Sequence, residues 1–164
     1  MERTLDTLPK LLLDHSKKRS DKPANRQKDF GIWQSWTWLD VSREVRNLSC
    51  GLAKNGFLRG DKLAVIGNNR PRLYWSMVAG QALGGIPVPL YQDSVAEEMV
   101  FVLENADVKY AIVQNQEQTD KLLEIKERLP ILEHICYEEP RGMRNYSQEY
   151  IHFYKDIQKK GEIF

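Results

Sequence analysis

From Gly60 to residue 137 the chain alternates strictly between short apolar runs and longer amphipathic stretches, with no internal sequence repeat. The runs are Lys62–Ile66, with Leu63-Ala64-Val65-Ile66 at its centre, then Ile86–Leu90, Tyr110–Val113 and His134–Tyr137. Short runs rich in β-branched residues are the pattern of strands buried on both faces. Between them lie a helix over 70–84, one carrying Met99, Val100 and Leu103 on one face, and one over 116–129 carrying Leu122, Ile125 and Leu129. These segments are long enough for crossovers and too long for hairpins. The order predicts an α/β fold, a parallel doubly wound sheet (βαβαβαβ) with right-handed crossovers.

Thr7–Arg19 has Leu8, Leu11, Leu12 and His15 at helical spacing, Thr7 as N-cap and Pro9 in the first turn. Residues 24–29 and 32–38 flank Asp29-Phe30-Gly31, where Gly31 can take a positive φ, so a β-hairpin is expected. Thr37-Trp38-Leu39-Asp40 matches a capping box, and Val41, Val45, Leu48 and Leu52 form the stripe of a packed helix closed by Asn55-Gly56. Ser94-Val95-Ala96-Glu97 matches a second capping box. Tyr150, Ile151, Tyr154 and Ile157 mark a short amphipathic helix ending near Gly161. The expected organisation is a single unit over 1–164: helix, hairpin and helix over 1–59, the β/α core over 60–139, and a terminal helix over 140–164.

Composition narrows the classes. The 164 residues amount to one domain, and 24 Lys+Arg against 23 Asp+Glu leave a net charge of +1. That balance argues against a nucleic-acid or membrane-surface binder driven by long-range charge. Cys50 and Cys136 share no metal-like spacing with His15, His134 or His152, and are expected as free buried thiols in a reducing cytosol. No stretch approaches ~18 consecutive apolar residues, so no membrane span is expected. Thr4–Lys17 is too charged for a secretory signal. The expected setting is cytoplasmic.

Parallel α/β sheets bind ligands outside the carboxyl ends of their strands. After the first strand, Gly67-Asn68-Asn69-Arg70-Pro71 is neither a GxGxxG loop nor a GK[ST] loop. It has a helix-start composition with Asn69 as N-cap. By position alone Asn68, Asn69 and Arg70 are candidate substrate-binding residues, as is Tyr91 past the second strand, although capping and packing explain each of them as well. Gly80 to Gly85 ends a helix, which favours a C-cap and close packing over a phosphate cradle. Pro87 and Pro89 bracket Val88 and predict an interrupted ladder. The histidines have no nucleophile or carboxylate at catalytic spacing. No catalytic, cofactor-binding or metal-ligating residue is therefore assigned. Alternation puts Trp33 on the opposite face from Trp36 and Trp38, with no basic stripe beside them, so a packed hairpin with one semi-exposed ring is expected.

Several blocks in series nevertheless carry a resemblance. Trp33-Gln34-Ser35-Trp36-Thr37-Trp38, Gly60-Asp61-Lys62-Leu63-Ala64-Val65, Asn69-Arg70-Pro71 with Trp75, and Gly84-Gly85-Ile86-Pro87-Val88-Pro89-Leu90-Tyr91 occur in this order. The series resembles the start of an adenylate-forming acyl-CoA synthetase. QEQTDKLL over 116–123 and Leu129-Pro130-Ile131-Leu132-Glu133-His134 are most similar to the long-chain fatty acid–CoA ligases, and the resemblance runs from about residue 4 to 161. It implies an AMP-forming ligase in which fatty acid and ATP give acyl-adenylate and pyrophosphate, after which the CoA thiol displaces AMP. It implies ATP, Mg and CoA for the full-length enzyme, the remainder of the synthetase chain as partner, fatty acid and CoA as substrates, and no nucleic acid.

In that family the chemistry belongs to a Thr/Ser/Gly-rich loop ending in lysine, an acidic residue on magnesium, an aspartate on the ribose and a lysine near the C-terminus. None of these motifs occurs in the 164 residues, which are expected to stop about where the strand leading into the phosphate loop begins. The resemblance thus implies an N-terminal, partial domain. It is expected to bind no ATP tightly, to be inactive alone, and to self-associate through exposed apolar surface, with any membrane contact made by the full-length enzyme. Arg72 departs from the acidic residue common after Asn-Arg-Pro. The alternatives are a stand-alone non-catalytic α/β interaction module and a fragment of another acid-adenylating enzyme. The Trp-rich hairpin and the QEQTDKLL block disfavour the second.

Overall fold

The computed structural model describes residues 4–163, so residues 1–3 and 164 of the expected unit lie outside the described residues. Helix α1 (Leu8–Lys18) starts after Thr7, whose backbone is extended but whose side chain makes no capping bond. Strands β1 (Pro23–Asp29) and β2 (Ile32–Thr37) form the antiparallel hairpin. Its two-residue turn places Phe30 at φ +46° and Gly31 at φ +82°, both left-handed, the geometry that matches the twist of a tight hairpin. Trp38 belongs to α2 (Trp38–Lys54) and not to the strand. There the capping box forms as read: Asp40 N–H donates to Thr37 Oγ1 at 3.2 Å and Thr37 N–H donates to Asp40 Oδ2 at 3.0 Å. Thr37 Oγ1 also donates to Asp40 Oδ2 at 2.7 Å, and this bond, with the one from the Thr37 amide, holds the Asp40 carboxyl below its ordinary range. Val41, Val45, Leu48 and Leu52 are buried.

The core then runs β3 (Lys62–Ile66), α3 (Pro71–Ala82), β4 (Ile86–Leu90), α4 (Ala96–Asn105), β5 (Val108–Val113), α5 (Gln116–Glu124), β6 (His134–Tyr137), β7 (Ile151–Phe153) and α6 (Tyr154–Glu162). The five strands are parallel, in the order β4-β3-β5-β6-β7. Alternate residues feed two cores. Leu63, Val65, Tyr110, Ile112 and Cys136 pack with Leu12, Leu48, Leu52, Trp75, Tyr154 and Ile157. Ala64, Ile66, Ala111, Val113 and Ile135 pack with Met99, Val100, Leu103, Leu122 and Ile125. Helices α1, α2, α3 and α6 cover one face and α4 and α5 the other, which is the doubly wound arrangement.

Several expectations are corrected. A fifth strand, β7, precedes α6 where the spacing of Tyr150, Ile151, Tyr154 and Ile157 predicts helix alone, and a 3₁₀ turn over Met143–Asn145 occupies part of the 140–164 segment. Strand β4 lies at the sheet edge and is only partly buried. Its ladder with β3 is unbroken despite Pro87 and Pro89. Ile86 N–H donates to Asp61 O at 2.9 Å, so Ile86, Val88 and Leu90 point their amides at β3 and both prolines face the open edge. Ser94 forms no capping box; the N-cap of α4 is Val95, with no side-chain bond. Helix α5 stops at Glu124 and passes into a 3₁₀ turn over Lys126–Arg128, leaving Ile125 and Leu129 buried as expected. Helix α3 is shorter than 70–84, and its N-cap is Arg70, not Asn69.

Candidate functional site

Numbered within the sheet, the strand order is 2-1-3-4-5, so the connections reverse direction between β3 and β5. Such a switch point leaves a crevice outside the carboxyl ends of the two strands, the default ligand position in open α/β sheets. Here the loops Gly67-Asn68 and Gln114-Asn115 flank it. Pairing continues past the strands: Gln114 N–H donates to Ile66 O at 2.9 Å, Glu138 N–H to Val113 O at 2.9 Å and Glu139 N–H to Gln114 O at 2.8 Å. This aligns Asn68, Gln114 and Glu139 across adjacent strand ends.

The side chains then close on one another. Gln114 is buried, and its Oε1 accepts from Asn68 N–H at 2.7 Å. A Cβ at Gly67 would lie 2.7 Å from Gln114 Cβ, so the glutamine stem fills the crevice against a residue that must be small. Asn68 Oδ1 accepts from Gln92 Nε2 at 2.7 Å, which ties in the loop after β4. The Arg70 guanidinium pairs with Glu139, and Arg72 Nη1 pairs with Glu138 Oε1 at 3.1 Å. Burial pushes the Glu138 carboxyl up from its ordinary range, and Arg72 beside it pulls the other way. A cleft of about 610 Å³ opens beyond these pairs, between them and the hairpin, with Gln27, Gln34, Trp36 and Arg141 on its walls.

Of the residues singled out from position, Asn68 and Arg70 enter this network. Asn69 is exposed and caps nothing. Tyr91 is 71% exposed, and its hydroxyl bonds to Asp93, which raises its pKa. Gln114, Glu138 and Glu139 join Asn68 and Arg70, as does Arg72, the residue that departs from the acidic one common after Asn-Arg-Pro. The carboxyl-end rule, applied to the third and fourth strands as well as the first two, locates Gln114 and the Glu138-Glu139 pair. The histidines yield one surprise: His134 Nδ1 and His152 Nε2 lie 2.9 Å apart on β6 and β7, and burial lowers the pKa of both. Neither cysteine is bridged; Cys136 is buried and Cys50 is half-buried.

A phosphate cradle needs uncommitted donors, and the Arg70 and Arg72 guanidiniums and the Asn68 amide do not supply them, being held by Glu139, Glu138 and Gln114. Among the described residues no group of three or more His, Cys, Asp or Glu is arranged to hold a metal ion. No step through ATP is derived from these side chains.

The model of the AMP-binding enzyme family matches residues 12–155, and the chain belongs to that family. It is similar to the long-chain-fatty-acid–CoA ligase ACSBG2 of Xenopus laevis, 26% identical over 129 residues that make up 79% of this chain and 18% of that protein. It is also similar to an uncharacterised protein of Mycobacterium tuberculosis, 34% identical over 83 residues that make up 51% of this chain and 47% of the relative. Among solved structures, an anthranilate CoA ligase in complex with anthranoyl-AMP superposes with a TM-score of 0.80 at 22% identity, over 92% of this chain and 27% of that one. The acetoacetyl-CoA synthetase of Streptomyces lividans gives 0.79 at 18% identity, over 92% and 24%. The fold is that of the N-terminal part of acyl-CoA synthetase-like enzymes, and the matched part of the chain covers less than half the length of each of these relatives.

Proposed function

We propose that this chain is the scaffold layer of a long-chain fatty acid–CoA ligase, supplying a rigid β/α face and none of the groups that act on ATP, fatty acid or CoA. One observation carries the reading. The strand-end network of Gln92, Asn68, Gln114, Glu139 and Arg70 is satisfied internally, so the position where this fold class ordinarily receives a ligand is closed by the protein's own side chains. The long-chain substrate rests on the similarity to ACSBG2 and on the QEQTDKLL block. The fold does not select the acid, because its solved neighbours carry names of aryl and acetoacetyl ligases. Titrating the chain with ATP and Mg in a calorimeter tests the reading: no saturable heat is expected up to millimolar nucleotide, and a micromolar isotherm overturns it.

A second reading is a stand-alone non-catalytic module, with which the internally paired strand ends are equally compatible. The readings part at the surface. Tyr91, Val95, Phe101 and Val102, on α4 and the loop before it, are exposed. In the scaffold reading this apolar surface drives self-association and is covered by the remainder of the synthetase, whereas a clean monomer with no dye-binding surface favours the module. The proposed setting is the cytoplasm, supported by the two unbridged thiols.

A further inference from the structure

The hairpin breaks two local rules at one residue. Phe30 occupies a turn position at φ +46°, a conformation that turns normally give to Gly, Asn or Asp, and its side chain is 98% exposed. Neither packing nor backbone preference places a phenylalanine there, and a rule broken without local compensation points to function. Ile32 is 65% exposed and Trp33 66%. Strand alternation turns Trp33 away from the face on which Trp36 packs edge-on against Trp75.

The strand register supplies the charge. Lys28 lies directly opposite Trp33, and Arg26 opposite Ser35, so both cations share the outer face with Trp33. Neither is in an ion pair among the described residues. Asp29, the only acid in the hairpin, is paired with Ile32 on the other alternation and lines the cleft beside Arg70 and Arg141. From base to tip the outer face therefore runs Arg26, then Lys28 with Trp33, then Phe30 at the apex, with a rise of ~3.3 Å per residue. Charge, an amphipathic ring and bare hydrocarbon appear in the order in which a bilayer passes from phosphate to acyl chain.

We propose that this hairpin docks the protein on an anionic bilayer surface, seating Phe30 below the headgroups, Trp33 at their level, and Arg26 and Lys28 on lipid phosphates. A tip with two cations gives reversible, salt-sensitive attachment. Two exposed rings and two cations on a turn are too few for the stacked groove that holds single-stranded nucleic acid.

Co-sedimentation of the 164-residue chain with vesicles of phosphatidylcholine alone, and with about one third phosphatidylserine, tests this. Partition onto the anionic vesicles is expected to be at least ~10-fold greater and to fall with added salt. Tryptophan emission is expected to shift to the blue on binding, and not to shift in Trp33→Phe. The pair Phe30→Ser with Trp33→Ser is expected to lower partition ~10-fold or more, and Arg26→Glu with Lys28→Glu to remove the preference for anionic lipid. Because these side chains are exposed, far-UV circular dichroism is expected to be unchanged. The wild-type comparison decides even if a variant misfolds: no binding, or equal binding to both vesicles, overturns the proposal. Protection of Trp33 from acrylamide by an oligonucleotide or by a second copy, and not by vesicles, assigns the tip to that partner and overturns it equally.

Discussion

His134 and His152 share one short contact, Nδ1 to Nε2 at 2.9 Å, stacked beside Tyr110 with Lys109, Glu133 and Lys160 as the nearest charges. Two positive rings cannot occupy that geometry, and burial already lowers both pKa values. An unfolded chain takes up protons near pH ~6.5 while the folded pair resists, so the unfolded state binds more protons as pH falls. Stability from this pair is therefore complete above the ordinary histidine pKa and is lost as pH drops through it. Urea unfolding at a series of pH values is expected to show that decline, and a shallower one in His152→Phe; an unchanged slope contradicts the assignment. The pair is not legible in the sequence, because its members are 18 residues apart and meet only through the β6–β7 pairing. The same blindness hid Lys28 and Arg26 from Trp33. A basic stripe sought along one strand was supplied by its neighbour.

Elements were read more reliably than their neighbours. The apolar runs at 62–66, 86–90 and 134–137 mark strands with the expected bounds, because β-branched burial is a local signal. The edge position of β4 is not local, and it is what makes Pro87 and Pro89 harmless: their missing amides face no partner strand. Strand β7 escaped because its three residues precede a helix whose stripe extends through them. Helices α2 and α6 cross at two glycines. A Cβ at Gly51 would collide with the Ile157 carbonyl oxygen, and one at Gly161 with that of Asn47. Alanine in a helix ordinarily gains roughly 0.5–1 kcal/mol over glycine. Here backbone overlap outweighs that gain, so Gly51→Ala is expected to lower the unfolding free energy by about 1–3 kcal/mol in urea. A stabilised variant contradicts the crossing.

For the whole molecule, a net charge of +1 conceals how charge is distributed. The strand ends pair their arginines with glutamates, while the hairpin leaves Arg26 and Lys28 beside an exposed indole. Balanced composition excludes long-range steering and says nothing of a small docking tip. The doubly wound fold was legible because strands and helices alternate. The closed crevice was not, since it depends on Gln114 folding back over Gly67. Fold and closed crevice together support the proposal of a scaffold that carries its family's architecture and leaves the family's chemistry to other residues. Fatty-acid-dependent exchange of labelled pyrophosphate into ATP, measured on the purified chain with Mg present, tests it most directly. The account predicts exchange indistinguishable from a protein-free control at every chain length tried; turnover that depends on both fatty acid and protein would contradict it.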